Sequence, residues 1–175
     1  LVTQLLDLSR LESGGSPLHL LQFPVADLLE AVADESSLHS PDVSFRVQVE
    51  PPDLTVDGDP ERLHQVFANL TDNAARFTPD GGEVVLTARP TGDTVTLEVL
   101  DEGPGIPSEA LGRVFERFYR TDEARSTDEG GSGLGLAIAR WVVDLHGGRI
   151  RAERRQPTGC RMVVVLPAPD QSITI

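Results

Sequence analysis

Lysine is absent from this chain of 175 residues, and all 15 basic residues are arginine. The chain therefore lacks the lysine that contacts terminal phosphates in a Walker-type loop, and it cannot form a lysine Schiff base. A single cysteine, Cys160, excludes an internal disulfide framework and is typical of a reducing compartment. The net charge of −13 argues against a general nucleic-acid-binding surface. No apolar run approaches the roughly 18 residues that a membrane-spanning helix needs.

Two glycine-rich segments are the most informative features that are present. Asp101-Glu102-Gly103-Pro104-Gly105-Ile106 places an acid at the end of an apolar run and then removes side chains, so that a ligand can approach the backbone. Gly131-Ser132-Gly133-Leu134-Gly135-Leu136 opens a helical stretch that extends to Leu145. Backbone N–H groups at a glycine-rich helix start favour an anion such as phosphate. Together the two segments predict a nucleotide pocket under a mobile lid.

The first 22 residues are predicted to form a helix and a linker. Leu1, Leu5 and Leu8 follow the spacing of a helix that packs against another helix, which we assign to residues 1–13. Gly14-Gly15-Ser16-Pro17 interrupts the pattern, so residues 14–22 are predicted to be a linker. No capping residue precedes the helix, and we expect it to continue a longer one.

Residues 23–167 are predicted to form one mixed α/β domain, followed by a flexible tail at 168–175. Asp59-Pro60 is typical of a helix start, and that helix should run to about Phe77. Because most strands are joined as hairpins, the sheet should be largely antiparallel and covered on one face by helices. A further helix is predicted at about Val25–Leu38, and strands at Val43–Val49, Glu83–Arg89, Thr94–Leu100, Arg149–Arg155 and Arg161–Leu166.

Two asparagines on the helix after Asp59 indicate a possible ligand site. Asn69 and Asn73 are four residues apart, so they lie on one helix face, which Arg76 extends. Asparagine is a poor helix former, so its presence here needs a reason. One interpretation is exposure to solvent or a hydrogen bond to a loop. The other is Mg²⁺ ligation, because an amide oxygen is a hard ligand suited to a metal that also binds substrate phosphates.

Four segments together resemble the signature motifs of sensor histidine kinases, in the order and at the spacing of that family. They are Asn69–Thr78 (the N box), Asp101–Ile106 (the first glycine box), Phe115–Arg120 (the F box) and Gly131–Ala139 (the second glycine box). Leu145–Gly148 and Thr158–Cys160 also fall where the family expects them. The resemblance covers about Phe23 to Leu166, and Leu8–Glu12 resembles the end of the dimerisation helix that precedes the ATP-binding domain.

The resemblance implies a Bergerat-type α/β sandwich, shared with gyrase, heat-shock chaperone and mismatch-repair ATPases, and it implies ATP and Mg²⁺ as ligands. Asp101 would accept a hydrogen bond from the adenine amine, and Asn73 would ligate Mg²⁺ with support from Asn69. Arg120 would reach the terminal phosphate when the lid closes, so Asn69, Asn73 and Arg120 are the implied catalytic residues. The implied ATP-binding residues are Asn69, Asn73, Arg76, Phe77, Asp101, Gly103, Gly105, Ile106, Arg120, Gly131, Ser132, Gly133, Leu134, Gly135 and Leu136.

The lid is predicted at about residues 106–132. This segment is long, polar and bounded by glycines, so it should be the most mobile part of the domain and should become ordered by nucleotide. Phe115, Phe118 and Tyr119 are expected to form an aromatic cluster on a short helix that packs within the lid.

None of the four histidines matches the phosphoacceptor that the resemblance requires, and each is expected to be structural or exposed. A family acceptor is followed by an acidic residue, whereas His19, His39, His64 and His146 precede leucine, serine, glutamine and glycine. We therefore expect the acceptor upstream of Leu1, and we expect this chain to be the catalytic half of a larger kinase. The implied partners are its own dimerisation domain, within a homodimer, and a response regulator. The implied location is the cytoplasmic part of a membrane-anchored bacterial sensor.

Two other functions remain open at this point. A related anti-sigma serine kinase or ATP-binding switch would lack the F box and the helix at residues 1–13. A non-enzymatic interaction module with a degenerate pocket would not need Asn73, Asp101 and the glycines, all of which the chain retains.

Overall fold

The computed structural model describes residues 2–13, 17–121 and 133–169. None of the helices in these ranges is long and apolar enough to span a bilayer. The helices are α1 (Val2–Glu12), α2 (Val25–His39), α3 (Pro60–Phe77) and α4 (Gly135–Leu145), with a 3₁₀ turn at Ser108–Ala110. The strands are β1 (Leu21–Pro24), β2 (Ser44–Val49), β3 (Thr55–Gly58), β4 (Glu83–Thr91), β5 (Thr94–Leu100), β6 (Arg149–Arg154) and β7 (Cys160–Pro167).

A five-stranded sheet in the order β2-β4-β5-β7-β6 forms one layer of the fold. The pairs β4–β5, β5–β7 and β6–β7 are antiparallel, so both predicted hairpins are present. Only β2 and β4 run parallel. Parallel neighbours need a long crossover, and α3 lies in the connection between these two strands. The predicted mostly antiparallel mixed sheet is confirmed.

Helices α2, α3 and α4 form the second layer and pack on one face of the sheet, as predicted. Phe67 and Leu70 of α3 are buried in the same apolar cluster as Leu97 of β5 and Val164 of β7. Burying a side chain of this size stabilises the fold by about 1.5–3 kcal/mol. This packing fixes α3 against the sheet and thereby positions the polar face that carries Asn69 and Asn73.

The other face of the sheet carries an ion-pair network. Glu98 of β5 is 3% exposed and pairs with Arg89 at 2.7 Å and with Arg161. Arg161 also lies 3.7 Å from Glu153. A carboxylate this deeply buried is tolerated because charged donors satisfy it.

The start of α3 is anchored by residues from three parts of the chain. Asp59 accepts the N–H of Arg62 at 3.1 Å, and Pro60 follows in the first turn. Asp59 also accepts the N–H of His19 at 3.0 Å, and its own N–H donates to Nε2 of His146 at 3.0 Å. Burial raises the pKa of Asp59, but the backbone N–H donors outweigh burial and hold the pKa below its usual value. The predicted helix start is confirmed, and His146 has a structural role.

Strands β1 and β3 were not predicted from the sequence. They pair antiparallel in a separate two-stranded sheet, and β1 begins inside the segment predicted to be a linker. Each is only four residues long, and β1 ends in a proline, so neither gives a clear alternation of apolar and polar residues. Residues 14–16 lie outside the described part of the chain, as do residues 170–175 of the predicted tail. Ala168 is tied to the β4–β5 hairpin by an N–H bond to the carbonyl oxygen of Asp93 at 3.0 Å.

The short helix predicted for the three aromatic residues is wrong. After the 3₁₀ turn the chain continues as non-helical turns. Phe115 is buried, whereas Phe118 is 59% exposed and has a φ of 59°, which an α-helix does not adopt. Tyr119 instead packs its ring 4.7 Å from the guanidinium of Arg113. Three aromatic residues within five positions can occur in a turn as well as in a helix, so their spacing does not distinguish the two structures.

Candidate functional site

Asp101 directly follows strand β5 at the end of the sheet, and its carboxylate is nearly buried, with 6% exposed. Its Oδ1 atom accepts the N–H of Gly103 at 2.9 Å and the N–H of Cys160 at 3.0 Å. Within the described residues, Oδ2 accepts no hydrogen bond. Oδ2 is not among the fully enclosed side-chain atoms that lack a partner, so it stays accessible to a donor supplied by a ligand.

The surroundings of Asp101 oppose its charge overall. Burial raises the pKa of Asp101, although the N–H groups of Gly103 and Cys160 and the charge of Arg155 act in the opposite direction. Burial, and then the charge of Asp101, raise the pKa of the Cys160 thiol to about 12, so Cys160 stays a neutral thiol. A ligand amine that donates to Asp101 would offset part of the cost of burying the carboxylate.

Replacing Asp101 by asparagine is expected to leave the unliganded protein at least as stable as the parent at pH 8. The pKa of Asp101 is higher in the folded than in the unfolded chain. The contribution of Asp101 to stability is therefore lost as the pH rises through its folded-state pKa. The asparagine side chain does not ionise, so the variant does not undergo this loss. Thermal unfolding of the variant and the parent between about pH 8 and about pH 4.5 measures this effect. The difference in stability between the two proteins should become smaller as the pH falls towards the usual Asp pKa of about 3.9. A difference that stays constant over this range would show that burial of the charge is not its cause.

The glycines after Asp101 allow the end of α3 to approach. A Cβ on Gly103 would lie 2.7 Å from the carbonyl oxygen of Phe77, the last residue of α3. Gly105 has a φ of +83°, and a Cβ there would lie 3.0 Å from the carbonyl oxygen of Gly159. The structure thus brings Phe77 next to the Asp101 segment, as the predicted site requires.

The two asparagines of α3 differ in their bonding. Asn69 donates from Nδ2 to the carbonyl oxygen of Gly135 at 3.2 Å, which joins α3 to the first residue of α4. Asn73 lies one turn further along α3 and is partly buried. Its side chain makes no hydrogen bond to any residue that the structure describes, so its amide oxygen can serve as a ligand. Arg76 is exposed about one turn beyond Asn73.

The start of α4 offers backbone groups rather than side chains. Gly133 has a φ of +74°, and its carbonyl oxygen accepts the N–H of Phe118 at 3.0 Å. The Leu134 side chain is fully buried, and Leu136 packs against the core. α4 begins at Gly135 without a side-chain cap, so the N–H groups of its first turn can attract an anion.

Part of the predicted set lies outside the described residues. Gly131 and Ser132 do, together with the rest of residues 122–132 of the predicted lid. Arg120 is partly buried shortly before this stretch, and Ile106 packs against the core. The reach of Arg120 to a phosphate therefore stays a prediction.

Two residues that support the Asp101 segment were missed by sequence reasoning. Thr78 Oγ1 donates to the carbonyl oxygen of Ala74 at 2.9 Å and accepts the N–H of Glu102 at 3.4 Å. Arg155 Nη1 donates to the carbonyl oxygen of Asp101 at 3.0 Å. Both join segments that are far apart in sequence, so no local pattern indicates them.

Comparisons with known proteins identify the family of the chain. Residues 58–170 match the family described as histidine kinase-, DNA gyrase B-, and HSP90-like ATPase. The chain is 39% identical over 192 residues to the sensor protein SphS of Synechococcus elongatus, which covers 99% of this chain and 44% of that protein. It spans less than half the length of the curated relatives it matches.

The solved structures that share the fold include two at more than 30% identity. The mycobacterial sensor histidine kinase MprB gives a TM-score of 0.75 at 33% identity, over 85% of this chain and 97% of that chain. Full-length ShkA in complex with AMPPNP gives a TM-score of 0.83 at 31% identity, over 95% of this chain and 35% of that chain.

Proposed function

Because the chain belongs to the histidine kinase-, DNA gyrase B- and HSP90-like ATPase family, we propose that it binds Mg-ATP and donates the γ-phosphoryl group to a histidine on a dimerisation domain. The observation that carries the proposal is the buried Asp101 carboxylate, whose Oδ2 has no donor among the described residues. Calorimetric titration with ATP, with and without Mg²⁺, tests the first step. The absence of binding under both conditions would overturn the proposal.

The adenine ring would lie against the loop after β5. Asp101 Oδ2 would accept a hydrogen bond from the adenine amine, and Gly103 and Gly105 would keep side chains away from the ring. Phe77 is partly buried beside this loop and would pack near the nucleotide. A carboxylate acceptor selects a base with an amino group, because a base with a carbonyl at the same position would face it with a second acceptor.

The phosphates would lie between α3 and the start of α4. Asn69 already joins these two helices, and Asn73 offers an oxygen ligand on the same face of α3. Arg76 and Arg120 would contact phosphate oxygens, and the second glycine segment (Gly131–Leu136) would present backbone N–H groups to them. Mg²⁺, when bound beside Asn73, would neutralise charge on the phosphate oxygens as the γ-phosphoryl group transfers. Residues 106–132 would close over the nucleotide as a lid.

The acceptor would come from a partner domain of the same kinase. The bond between the γ-phosphorus and its bridging oxygen would break, a bond to an imidazole nitrogen would form, and ADP would leave. α1 would be the end of a dimerisation helix, a role supported by its Val2, Leu5 and Leu6, which are 71%, 41% and 52% exposed. The phosphorylated dimerisation domain would then supply a response regulator, and the whole protein would be a membrane-anchored sensor with this domain in the cytoplasm.

Asn73→Ala is expected to weaken ATP binding more in the presence of Mg²⁺ than in EDTA. The substitution removes the amide oxygen that would ligate the metal and leaves the adenine contact at Asp101 in place. Calorimetric affinities under both conditions measure the difference. Asn73→Asp is the matched variant, because it keeps an oxygen ligand at the same position and should retain metal dependence. Equal losses with and without Mg²⁺ would assign Asn73 a structural role.

A further inference from the structure

The connection between β6 and β7 lies directly against the segment that carries Asp101. This connection, residues 155–159, closes on itself through a bond from the N–H of Arg155 to the carbonyl oxygen of Gly159 at 3.0 Å. Gly159 has a φ of +107°, and a Cβ there would collide with the carbonyl oxygen of Asp101. Glycine is therefore required for the two segments to touch.

Two side chains of this connection hold backbone carbonyl groups of the Asp101 segment. Arg155 Nη1 donates to the carbonyl oxygen of Asp101 at 3.0 Å, and Thr158 Oγ1 donates to the carbonyl oxygen of Gly103 at 2.8 Å. Both carbonyl groups lie beyond the end of β5 at Leu100. These two bonds therefore fix the Asp101–Glu102 and Gly103–Pro104 peptide groups, where glycine and loop geometry would otherwise permit several conformations.

We propose that Arg155 and Thr158 are positioning residues for nucleobase recognition, which act by fixing the backbone that aims the Asp101 carboxylate at the exocyclic amine of adenine. This inference rests on the proposed function. Neither residue touches the amine. Arg155 holds the backbone of Asp101 itself, and Thr158 holds Gly103, whose N–H donates to Asp101 Oδ1 and so leaves Oδ2 for the base.

A role in packing does not account for the two side chains. Thr158 is exposed and Arg155 is only partly buried, so neither fills the apolar cluster between the layers. Arg155 also adds a favourable charge, which opposes the effect of burial on the pKa of Asp101. Both effects bear on the carboxylate rather than on the core.

The test compares ATP with purine riboside triphosphate, which lacks only the amino group. Arg155→Gln and Thr158→Val are each expected to weaken ATP binding by about fivefold, within the range that one hydrogen bond contributes. Binding of purine riboside triphosphate should stay within about twofold of the parent, because it makes no bond to Asp101. Thr158→Ser keeps the hydroxyl and should restore ATP binding. Arg154→Gln is the matched charge control, since the Arg154 side chain makes no hydrogen bond within the described ranges.

The outcomes separate this inference from the proposed function. Equal binding of both nucleotides by the parent protein would contradict adenine recognition by Asp101, and the inference would fail with it. If the parent prefers ATP over purine riboside triphosphate and the variants keep the same preference, only the positioning roles of Arg155 and Thr158 are overturned. Equal weakening of both nucleotides together with a lower unfolding temperature would assign the two residues to general stability. If Arg155→Gln does not fold, Thr158→Val decides, because Thr158 is exposed.

Discussion

Asp101→Asn is expected to lose nearly all ATP binding while the protein stays folded. The amide keeps an oxygen for the N–H groups of Gly103 and Cys160 but presents an N–H₂ group towards the adenine amine. The loss of a charge-assisted hydrogen bond should cost about 1.5–3 kcal/mol, which is roughly a 10- to 150-fold loss of affinity. Calorimetry with ATP and Mg²⁺ on the two proteins measures it.

Glu102→Gln is the matched control for this experiment. It makes the same change of charge at the neighbouring residue, which is exposed and bonds to the N–H of Glu83 rather than facing the proposed base. Its ATP affinity should stay close to that of the parent. Parent-like affinity in Asp101→Asn would remove the adenine assignment, whereas a loss of similar size in both variants would point to the net charge of the loop.

Phosphoryl transfer is expected only when a second domain is added. Alone, the chain should bind ATP and form no stable phosphohistidine, because none of its four histidines is followed by an acidic residue. Mixed with a separately prepared dimerisation domain that carries such a histidine, it should label that domain from radioactive ATP. Transfer should be slow, since the missing tether would supply an effective concentration of roughly millimolar.

The pattern of labelling shows which domain accepts the phosphoryl group and whether Asp101 is needed for the transfer. Asp101→Asn in the mixture should reduce labelling of the partner, and a partner with its acceptor histidine replaced by glutamine should remain unlabelled. An acid-labile phosphate on this chain alone would contradict the prediction. Mapping that phosphate to one of its histidines would then identify an acceptor whose sequence context differs from that of the family.

The parts of the fold that follow local chemical rules were predictable from the sequence. Asp59-Pro60 marks the start of α3 because an acidic cap and a proline each satisfy the first turn of a helix. The β4–β5 and β6–β7 hairpins follow from short turn segments between apolar runs. The place of Asp101 at the end of an apolar strand was likewise predictable, whereas the ligand site that its glycines indicate stays a prediction.

The remaining features depend on contacts between distant residues. β1 and β3 are strands because they pair with each other, and neither has an apolar pattern from which it could be predicted alone. Arg155 meets Asp101 across 54 positions of sequence, so its role could not be read from its neighbours. The bonding of Asn69 to Gly135 likewise depends on how α3 packs against α4, whereas its place on the face of α3 could be predicted.

The backbone bond from Phe118 to Gly133 has a consequence for how related sequences can vary. It fastens the two ends of the intervening chain together at 3.0 Å, through a main-chain N–H that every residue type except proline possesses and a main-chain carbonyl oxygen that all possess. The entropy of closing such a segment rises only with the logarithm of its length, so doubling it costs about 0.6 kcal/mol. Changes of length between these two residues should therefore cost little stability where they leave Tyr119 in place, because its ring packs against Arg113. Related chains are expected to differ in length there. They are expected to conserve length between Asp101 and Gly105, because Asp101, Gly103 and Gly105 contact the end of α3 or the β6–β7 connection.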